Sequence, residues 1–358
     1  MGLSEASAGP TADLSIVTVC MNRLEHLLET AERVSRWPVH QEHVIVDWSS
    51  AVAVRREQLP ADGRIRLLRV EGERSWNLCR AYNFAVSRAQ GEWILKLDAD
   101  TWPTADWPGS VLTPSGAGWP AVEPVNGAAE PAAAAVAEGA GYAFGSGPEG
   151  RKGQFLMPRQ LFGAVGGFNE HLIGYGFDDK DLQARLLVQT GQAAAPIPEA
   201  WIGVIPHTDA ERAGQGRSRW LGWLAASQGL AAMRASRLSN RLLAAHCPWS
   251  GQASSSLYRE LSPDVWQVEQ GSIPALPEEV SDEIEHARRM TFWGCFLAIP
   301  DVFLAELPLK LVPPPRHGRW QVRWWHRLWW HTGRRLLQLP VLLLSLTRGS
   351  LRGLQRSR

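Results

Sequence analysis

Short β-branched runs alternate with helical repeats through residues 14–100, and this alternation constrains the fold more than any other feature of the sequence. The apolar runs are LSIVTVC (14–20), HVIVDWSS (43–50), RIRLLRV (64–70) and GEWILKLDAD (91–100). Between them, residues 24–37 and 77–89 repeat apolar side chains at helical spacing. Continuous apolar strands separated by helices are typical of a parallel sheet that is covered on both faces. The pattern therefore predicts an α/β fold with a doubly wound sheet.

Three carboxylates lie at the carboxyl ends of the predicted strands: Asp47, Asp98 and Asp100. Open α/β sheets bind ligands beyond the carboxyl ends of their strands. Asp98 and Asp100 are two positions apart, and side chains at that spacing on a strand point the same way. Paired carboxylates suit a hard divalent cation, Mg²⁺ or Mn²⁺, which is shared with a diphosphate. A polar loop after the strand is the alternative explanation for so short a motif.

Other polar residues extend the candidate site. Arg80 and Asn83 lie one turn apart on the helix before LDAD, and we predict that they contact a ligand bound at this edge of the sheet. The structural alternatives are a solvated helix face for Arg80 and a capping or surface role for Asn83. Asp178 and Asp179 follow two glycines at the start of a predicted helix, and they are candidate site residues because glycines let the backbone approach a ligand closely. The structural alternative is that acids at this position stabilise the helix dipole. His207 ends a short apolar strand, and a neutral imidazole there would complete the cation site.

Composition divides the chain into segments of different character. The predicted segments are a flexible leader (1–13), an α/β domain (14–215) with an Ala/Gly/Pro-rich insertion (103–150), a mainly helical extension (216–312) with loops at 247–280, and a basic tail (313–358). The leader lacks the basic and apolar regions of a signal peptide, and the four cysteines are widely separated. Both features predict a cytoplasmic protein.

The tail has a charge that the whole-chain total conceals. The formal net charge is +1, yet residues 316–358 hold ten Arg and no acid, with five Trp between 320 and 330. An Arg- and Trp-rich amphipathic helix predicts peripheral docking on an anionic membrane surface at the cytoplasmic face. Packing on the rest of the chain is an alternative, and nucleic-acid binding is disfavoured. The longest apolar stretch (336–347) contains a proline and is shorter than the ~20 residues of a spanning helix.

Five blocks of the chain, in this order, resemble the nucleotide-sugar-dependent glycosyltransferases of the GT-A fold, family 2. The blocks are LSIVTVCMNR (14–23), IVDWSS (45–50), LCRAYNFAVSRAQGEWILKLDAD (78–100), VGGFNEHLIGYGFDDKDLQARL (165–186) and IPHTD (205–209). The second half is similar to the C-terminal part of galactosyltransferases and of bacterial chondroitin-polymerase-like enzymes. The resemblance covers roughly residues 14–210.

The resemblance implies roles for the donor side of the site. Asp47 and Arg80 correspond to contacts with the uridine of a UDP-sugar, and Asp98 to a contact on the ribose or metal side. Asp100 corresponds to the direct ligand of Mn²⁺ or Mg²⁺, and His207 to the second protein ligand.

The resemblance also implies an acceptor side and a reaction. Asp179 corresponds to the catalytic aspartate of an inverting transfer. Asp178 corresponds to a glutamate that contacts the acceptor, and it is one methylene shorter. The expected substrates are a UDP-hexose or UDP-N-acetylhexosamine and a glycan or glycolipid acceptor. The alternative function is a catalytically inactive nucleotide-sugar-binding or membrane-peripheral scaffold protein of the same fold.

Overall fold

The computed structural model describes residues 13–107, 141–148, 150–206 and most of 236–276, with isolated positions elsewhere. The helices and strands are β1 (Leu14–Cys20), α1 (Leu24–Arg36), β2 (Glu42–Trp48), β3 (Ile65–Glu71), α2 (Leu78–Arg88), β4 (Trp93–Lys96), β5 (Thr101–Pro103), β6 (Ala143–Gly145), β7 (Phe155–Pro158), α3 (Arg159–Ala164), α4 (Asp178–Thr190), β8 (Ala195–Ile197), β9 (Ile202–Val204), β10 (Tyr258–Ser262) and β11 (Val265–Val268).

A large mixed sheet is the centre of the fold. Among the described residues it contains nine strands in the order β10-β11-β3-β2-β1-β4-β7-β6-β8, and a separate ladder pairs β5 with β9. The strands from β11 through β3, β2 and β1 to β4 are parallel, and β7 is antiparallel to β4. The predicted α/β class is confirmed. The order β3-β2-β1-β4 places the topological switch point, where such sheets bind ligands, between β1 and β4.

The central strands are buried, as their β-branched composition predicts. Every residue of β1 and β2 is buried. Helix α1 contacts this core through Leu27, Ala31 and Val34, which are inaccessible to solvent. On the same helix, the Thr30 hydroxyl donates a hydrogen bond of 2.8 Å to the Ala99 carbonyl and so ties α1 to the loop after β4.

A hairpin at the edge of the sheet differs from the prediction of loops at 247–280. β10 pairs antiparallel with β11, and β11 runs parallel to β3. Most of β10 is exposed, so the strand has no apolar periodicity from which it could be predicted. Two aromatic rings of the hairpin contact Phe84, which is distant in sequence. The ring centres of Tyr258 and Trp266 lie 4.7 and 5.8 Å from the ring centre of Phe84.

The chain divides into two compact units. The first contains Met1–Phe168, Arg185–Pro206 and Ser250–Ile273, and the second contains Asn169–Ala184, His207–Trp249 and Pro274–Arg358. Most of the insertion, the helical extension and the basic tail lies outside the described residues, so their predicted structures and boundaries stay predictions. In the part of the chain that the structure describes, no helix is long and apolar enough to cross a membrane.

Candidate functional site

Asp98 and Asp100 lie in a turn rather than on a strand. β4 ends at Lys96, and the backbone N–H of Thr101 then donates to the Asp98 carbonyl at 3.0 Å. The Thr101 hydroxyl donates to the same carbonyl at 3.1 Å. The prediction of a strand through residue 100 is therefore wrong at its end, because these bonds close a turn. The turn itself follows β4 at the switch point.

The Asp98 carboxylate is held by three side chains. Oδ1 accepts hydrogen bonds from Lys96 Nζ at 2.6 Å and from the Tyr82 hydroxyl at 3.0 Å. Oδ2 accepts from Gln154 Nε2 at 2.7 Å, and Gln154 Oε1 accepts from the Asp98 backbone N–H at 2.9 Å. Burial raises the pKa of Asp98, but Lys96 and the two neutral donors outweigh burial and bring the pKa below its ordinary value. The side chain remains 33% exposed, so an oriented carboxylate faces solvent.

Asp100 has a different partner, on the loop after β1. Arg23 Nη1 lies 3.2 Å from Asp100 Oδ2, and Asp100 is buried. The residue before Arg23 fixes this loop: Asn22 Oδ1 accepts from the Ala51 N–H at 2.8 Å, and the Asn22 N–H donates to Ser50 Oγ at 2.9 Å. The Arg23–Asp100 ion pair thus joins the loops after β1 and β4 across the switch point.

Asp47 supports the loop that follows β2. It is fully buried, and Oδ1 accepts from the Ser50 N–H at 2.9 Å. Oδ2 accepts from the Val54 N–H at 3.0 Å and from the guanidinium of Arg69. In this structure the carboxylate therefore holds the protein's own backbone. Its contact with a donor stays a prediction.

Arg80 and Asn83 also bind within the protein. Arg80 forms a buried ion pair with Glu73, and its guanidinium carbon lies 5.8 Å from the centre of the Trp48 ring. Asn83 Nδ2 donates to the Phe168 carbonyl at 2.9 Å, and Asn83 Oδ1 accepts from the Phe168 N–H at 2.8 Å. These contacts give both residues a structural role. The contact of Arg80 and Asn83 with a donor stays a prediction.

The side chains present fit a divalent cation whose coordination is completed by a substrate. Within residues that the structure describes, no group of three or more His, Cys, Asp and Glu side chains is arranged to hold a metal ion. His207, the predicted second ligand, lies outside the described residues. Asp98 and Asp100 provide hard oxygen donors, and Mg²⁺ is commonly held by one or two carboxylates together with substrate phosphates.

Helix α4 begins with Asp178 and Asp179, after a turn that contains two glycines. Gly174, Gly176 and Phe177 have positive φ angles of 82°, 85° and 77°. The N-terminal position of the two acids is the one that the glycines predict, and it is favourable in the field of the helix dipole. Asp179 Oδ1 accepts from the Lys180 N–H at 2.8 Å.

One side chain that the sequence did not indicate holds this turn. The buried amide of Asn240 accepts from the Ile173 N–H at 3.0 Å and donates to the Gly176 carbonyl at 2.8 Å. Gln154 has the equivalent role at Asp98. Neither belongs to a local motif, because each acts on residues that are distant along the chain. Arg23 and Lys96 lie within the family-like blocks, but nothing in those blocks indicated their pairing with acids.

Two family models match the sequence. Residues 15–123 match glycosyl transferase family 2. Residues 146–203 match a model described as the N-terminal domain of galactosyltransferase. No curated protein matches the chain.

Solved structures show distant similarities. A mannosyltransferase from Pyrobaculum calidifontis, in complex with GDP-Man and Mn²⁺, has 15% identity and a TM-score of 0.42 over 91% of this chain and 87% of its own. A glucosyl-3-phosphoglycerate synthase from Mycobacterium tuberculosis, in complex with Mg²⁺ and UDP, has 14% identity and a TM-score of 0.41 over 72% of this chain and 86% of its own.

Apart from Leu14, the family matches cover four of the five blocks in which the sequence resembles glycosyltransferases, and the fifth (205–209) lies beyond both. The first match includes the Asp98–Asp100 turn and its Arg23 and Lys96 partners, and the second match includes Gln154 and the acidic start of α4. Residues 15–123 therefore match the family 2 glycosyltransferase model, and the prediction that the chain is a glycosyltransferase is confirmed.

Proposed function

We propose that the chain is a metal-dependent, inverting glycosyltransferase that moves a hexose or N-acetylhexosamine from a UDP-sugar to a glycan or lipid-linked glycan. The observation that carries the proposal is the Asp98–Asp100 turn, which presents paired carboxylates after β4 at the switch point of the sheet. The family 2 match over residues 15–123 supports glycosyl transfer. The choice of UDP follows from the family resemblance.

Asp98 and Asp100 would hold Mn²⁺ or Mg²⁺, with His207 as the predicted second protein ligand. Such a cation acts as a Lewis acid that neutralises the charge on the leaving diphosphate. The chain's own contribution is to fix the carboxylates. Lys96 and Gln154 hold the two oxygens of Asp98, and the buried position of Lys96 keeps its ammonium group beside the acid.

Asp179 is the proposed general base. It would accept the proton of an acceptor hydroxyl while that oxygen attacks the anomeric carbon. The new glycosidic bond forms as the bond to the diphosphate breaks on the opposite side, which inverts the configuration. Asp178 would contact the acceptor. The support for these roles is the position of both acids in the first turn of α4, on a backbone that Asn240 fixes.

Transfer and binding measured together test this proposal. UDP-sugar hydrolysis and thermal shifts with a UDP-sugar panel, with and without Mn²⁺, should identify a donor that is hydrolysed only with the metal. Asp179→Asn should lose turnover by about 10²-fold or more and keep donor binding. Asp106→Asn removes an exposed carboxylate of the same type and should change neither. Full turnover in Asp179→Asn would overturn the base assignment. Donor binding by the wild type without any turnover would favour the scaffold alternative.

We also propose that residues 316–358 dock on an anionic membrane surface. Ten arginines without an acid provide the charge complementarity. The described positions of this segment are helical and present exposed apolar side chains: Trp324, Leu328, Leu336 and Leu343.

Co-sedimentation of the full chain and of residues 1–315 with vesicles tests the docking. The full chain should sediment with vesicles that contain phosphatidylserine, but weakly with phosphatidylcholine alone or at high salt. Equal sedimentation of the two proteins would overturn the role of the tail. Competition by RNA at equal charge concentration would favour nucleic-acid binding instead.

A further inference from the structure

The carboxylates of the Asp98–Asp100 turn are already neutralised by the protein. Lys96 lies against Asp98 and Arg23 against Asp100, so these four side chains sum to zero charge. A divalent cation would leave the group with two positive charges. A nucleotide diphosphate would remove that excess. The charges of the turn therefore favour a cation that arrives with a diphosphate over a free cation.

The two basic partners differ in their freedom to move. The Lys96 side chain is 2% exposed, whereas the Arg23 side chain is 23% exposed. Lys96 is confined between Asp98 and the Tyr82 ring, whose centre lies 4.5 Å from Nζ. Arg23 extends from a loop, and its 3.2 Å contact with Asp100 is longer than the 2.6 Å contact of Lys96. Arg23 is thus the less confined of the two basic partners.

The location and chemistry of Arg23 also fit a phosphate ligand. Its contact with Asp100 crosses the switch point between β1 and β4, where the diphosphate of a donor would enter. A guanidinium group presents several N–H donors in a plane and binds phosphate in a bidentate manner. The backbone that carries it is fixed by Asn22, so that only the side chain has to move.

We propose that Arg23 exchanges partners during donor binding. This inference rests on the proposed function. Without a donor, Arg23 pairs with Asp100 and screens it from cations. When a nucleotide diphosphate enters with its cation, Arg23 turns to the diphosphate and leaves Asp100 to the metal. Arg23 is therefore both a competitor of the free cation and a ligand of the donor, and it couples the binding of the two.

Binding measurements on the full chain test the exchange without any turnover. The affinity for Mn²⁺, measured by electron paramagnetic resonance, is compared with and without UDP, and the affinity for UDP is measured at saturating Mn²⁺. In the wild type, UDP should raise the Mn²⁺ affinity by at least about tenfold. In Arg23→Gln, free Mn²⁺ should bind more tightly and UDP about tenfold more weakly, so the coupling should fall towards unity.

Two further variants separate exchange from damage to the fold. Arg23→Lys keeps a positive charge and should retain part of the coupling. Arg36→Gln removes an exposed arginine from α1 and should behave as the wild type. Thermal unfolding identifies a variant that has lost its structure.

The possible results are distinguishable. Opposite changes in Mn²⁺ and UDP affinity in Arg23→Gln support the exchange. If Arg23→Gln loses affinity for both Mn²⁺ and UDP, or changes neither affinity, the exchange is overturned. The proposed function still stands in that case, provided that UDP raises the Mn²⁺ affinity of the wild type. A wild type that binds neither Mn²⁺ nor Mn²⁺ with UDP overturns the proposed function and the exchange together.

Discussion

Asn83 uses both ends of its side-chain amide on the backbone of one residue, Phe168, which is 85 positions away. Nδ2 donates to the Phe168 carbonyl at 2.9 Å, while Oδ1 accepts from its N–H at 2.8 Å. The preceding Gly167 has a φ of +65°, and a Cβ there would lie 2.4 Å from Asn83 Oδ1. These two hydrogen bonds connect helix α2 to the segment that follows α3.

Removal of this amide should destabilise the protein. Asn83→Ala leaves two backbone groups without partners, and we expect a loss of about 1–3 kcal/mol in the free energy of unfolding. Urea denaturation followed by circular dichroism measures it. Ser87→Ala, on the exposed side of the same helix, should change stability by less than about 0.5 kcal/mol. Equal stabilities of the two variants would contradict the structural role of Asn83.

The glycine turn before α4 should not tolerate a side chain. Gly174 has a φ of +82°, and a Cβ would lie 2.4 Å from Ser236 Oγ. Gly174→Ala therefore combines backbone strain of about 1–2 kcal/mol with a steric clash.

Substitutions at two other glycines distinguish the effect of backbone strain from that of the steric clash. A Cβ has nothing within 4 Å at Gly191, where φ is +70°, or at Gly63. The unfolding free energy should fall most in Gly174→Ala, less in Gly191→Ala, and not in Gly63→Ala. A loss in Gly174→Ala no greater than that in Gly191→Ala would mean that the turn adjusts around the added methyl group.

Two buried histidines should make stability depend on pH. Burial, with Arg64 acting in the same direction, lowers the pKa of His40 from 6.5 to about 4. Burial and the neighbouring His40 lower the pKa of His43 from 6.5 to about 3. Between those values and pH 6.5 the unfolded chain binds protons that the folded chain does not, so stability falls as the pH falls. Each histidine contributes a slope of about 1.4 kcal/mol per pH unit.

Urea denaturation between pH 7 and pH 5 measures this slope. His43→Gln should remove one of the two titrating groups and reduce the pH dependence. Gln41→Ala changes an exposed neighbour that does not titrate, and it should keep the wild-type slope. A His43→Gln variant with an undiminished slope would assign the pH dependence to other groups.

Gln154 should control how well Asp98 presents its carboxylate. The side chain is fully buried, and it bonds both the Asp98 carboxylate and the Asp98 N–H. Gln154→Met keeps a similar length and loses both bonds. We expect the affinity for UDP with Mn²⁺ to fall by about 10- to 100-fold, as for other residues that orient a metal ligand. Calorimetry measures it, with the exposed Gln90→Met as the control. An unchanged affinity would show that Lys96 and Tyr82 suffice to hold Asp98.

The sequence predicts the parts of the fold that depend on local patterns. Continuous β-branched runs identify β1 and β2, because both strands are buried on both faces. The glycines before Asp178 predict the start of α4. The candidate acids at the strand ends follow from the same alternation.

The remaining features depend on contacts between distant residues. Gln154 lies 56 positions from Asp98, which it orients, and the hydrophobic periodicity of the sequence cannot predict a hydrogen bond between residues so far apart. The turn at Asp98 depends on hydrogen bonds from Thr101, which compete with the strand that the alternation favours. β10 is mostly exposed, so its position beside β11 comes from pairing rather than from composition.

The edge hairpin has a consequence for biosynthesis. β3 is translated early, yet its outer neighbour β11 comes from near residue 265, and the Asp264 carbonyl in the hairpin turn accepts from the Arg69 N–H at 2.8 Å. Until the ribosome has released that hairpin, the nascent sheet ends at β3 with unpaired backbone groups, which invite pairing with other chains. Because Arg69 also holds Asp47, the loop after β2 acquires its final support only when this late segment arrives.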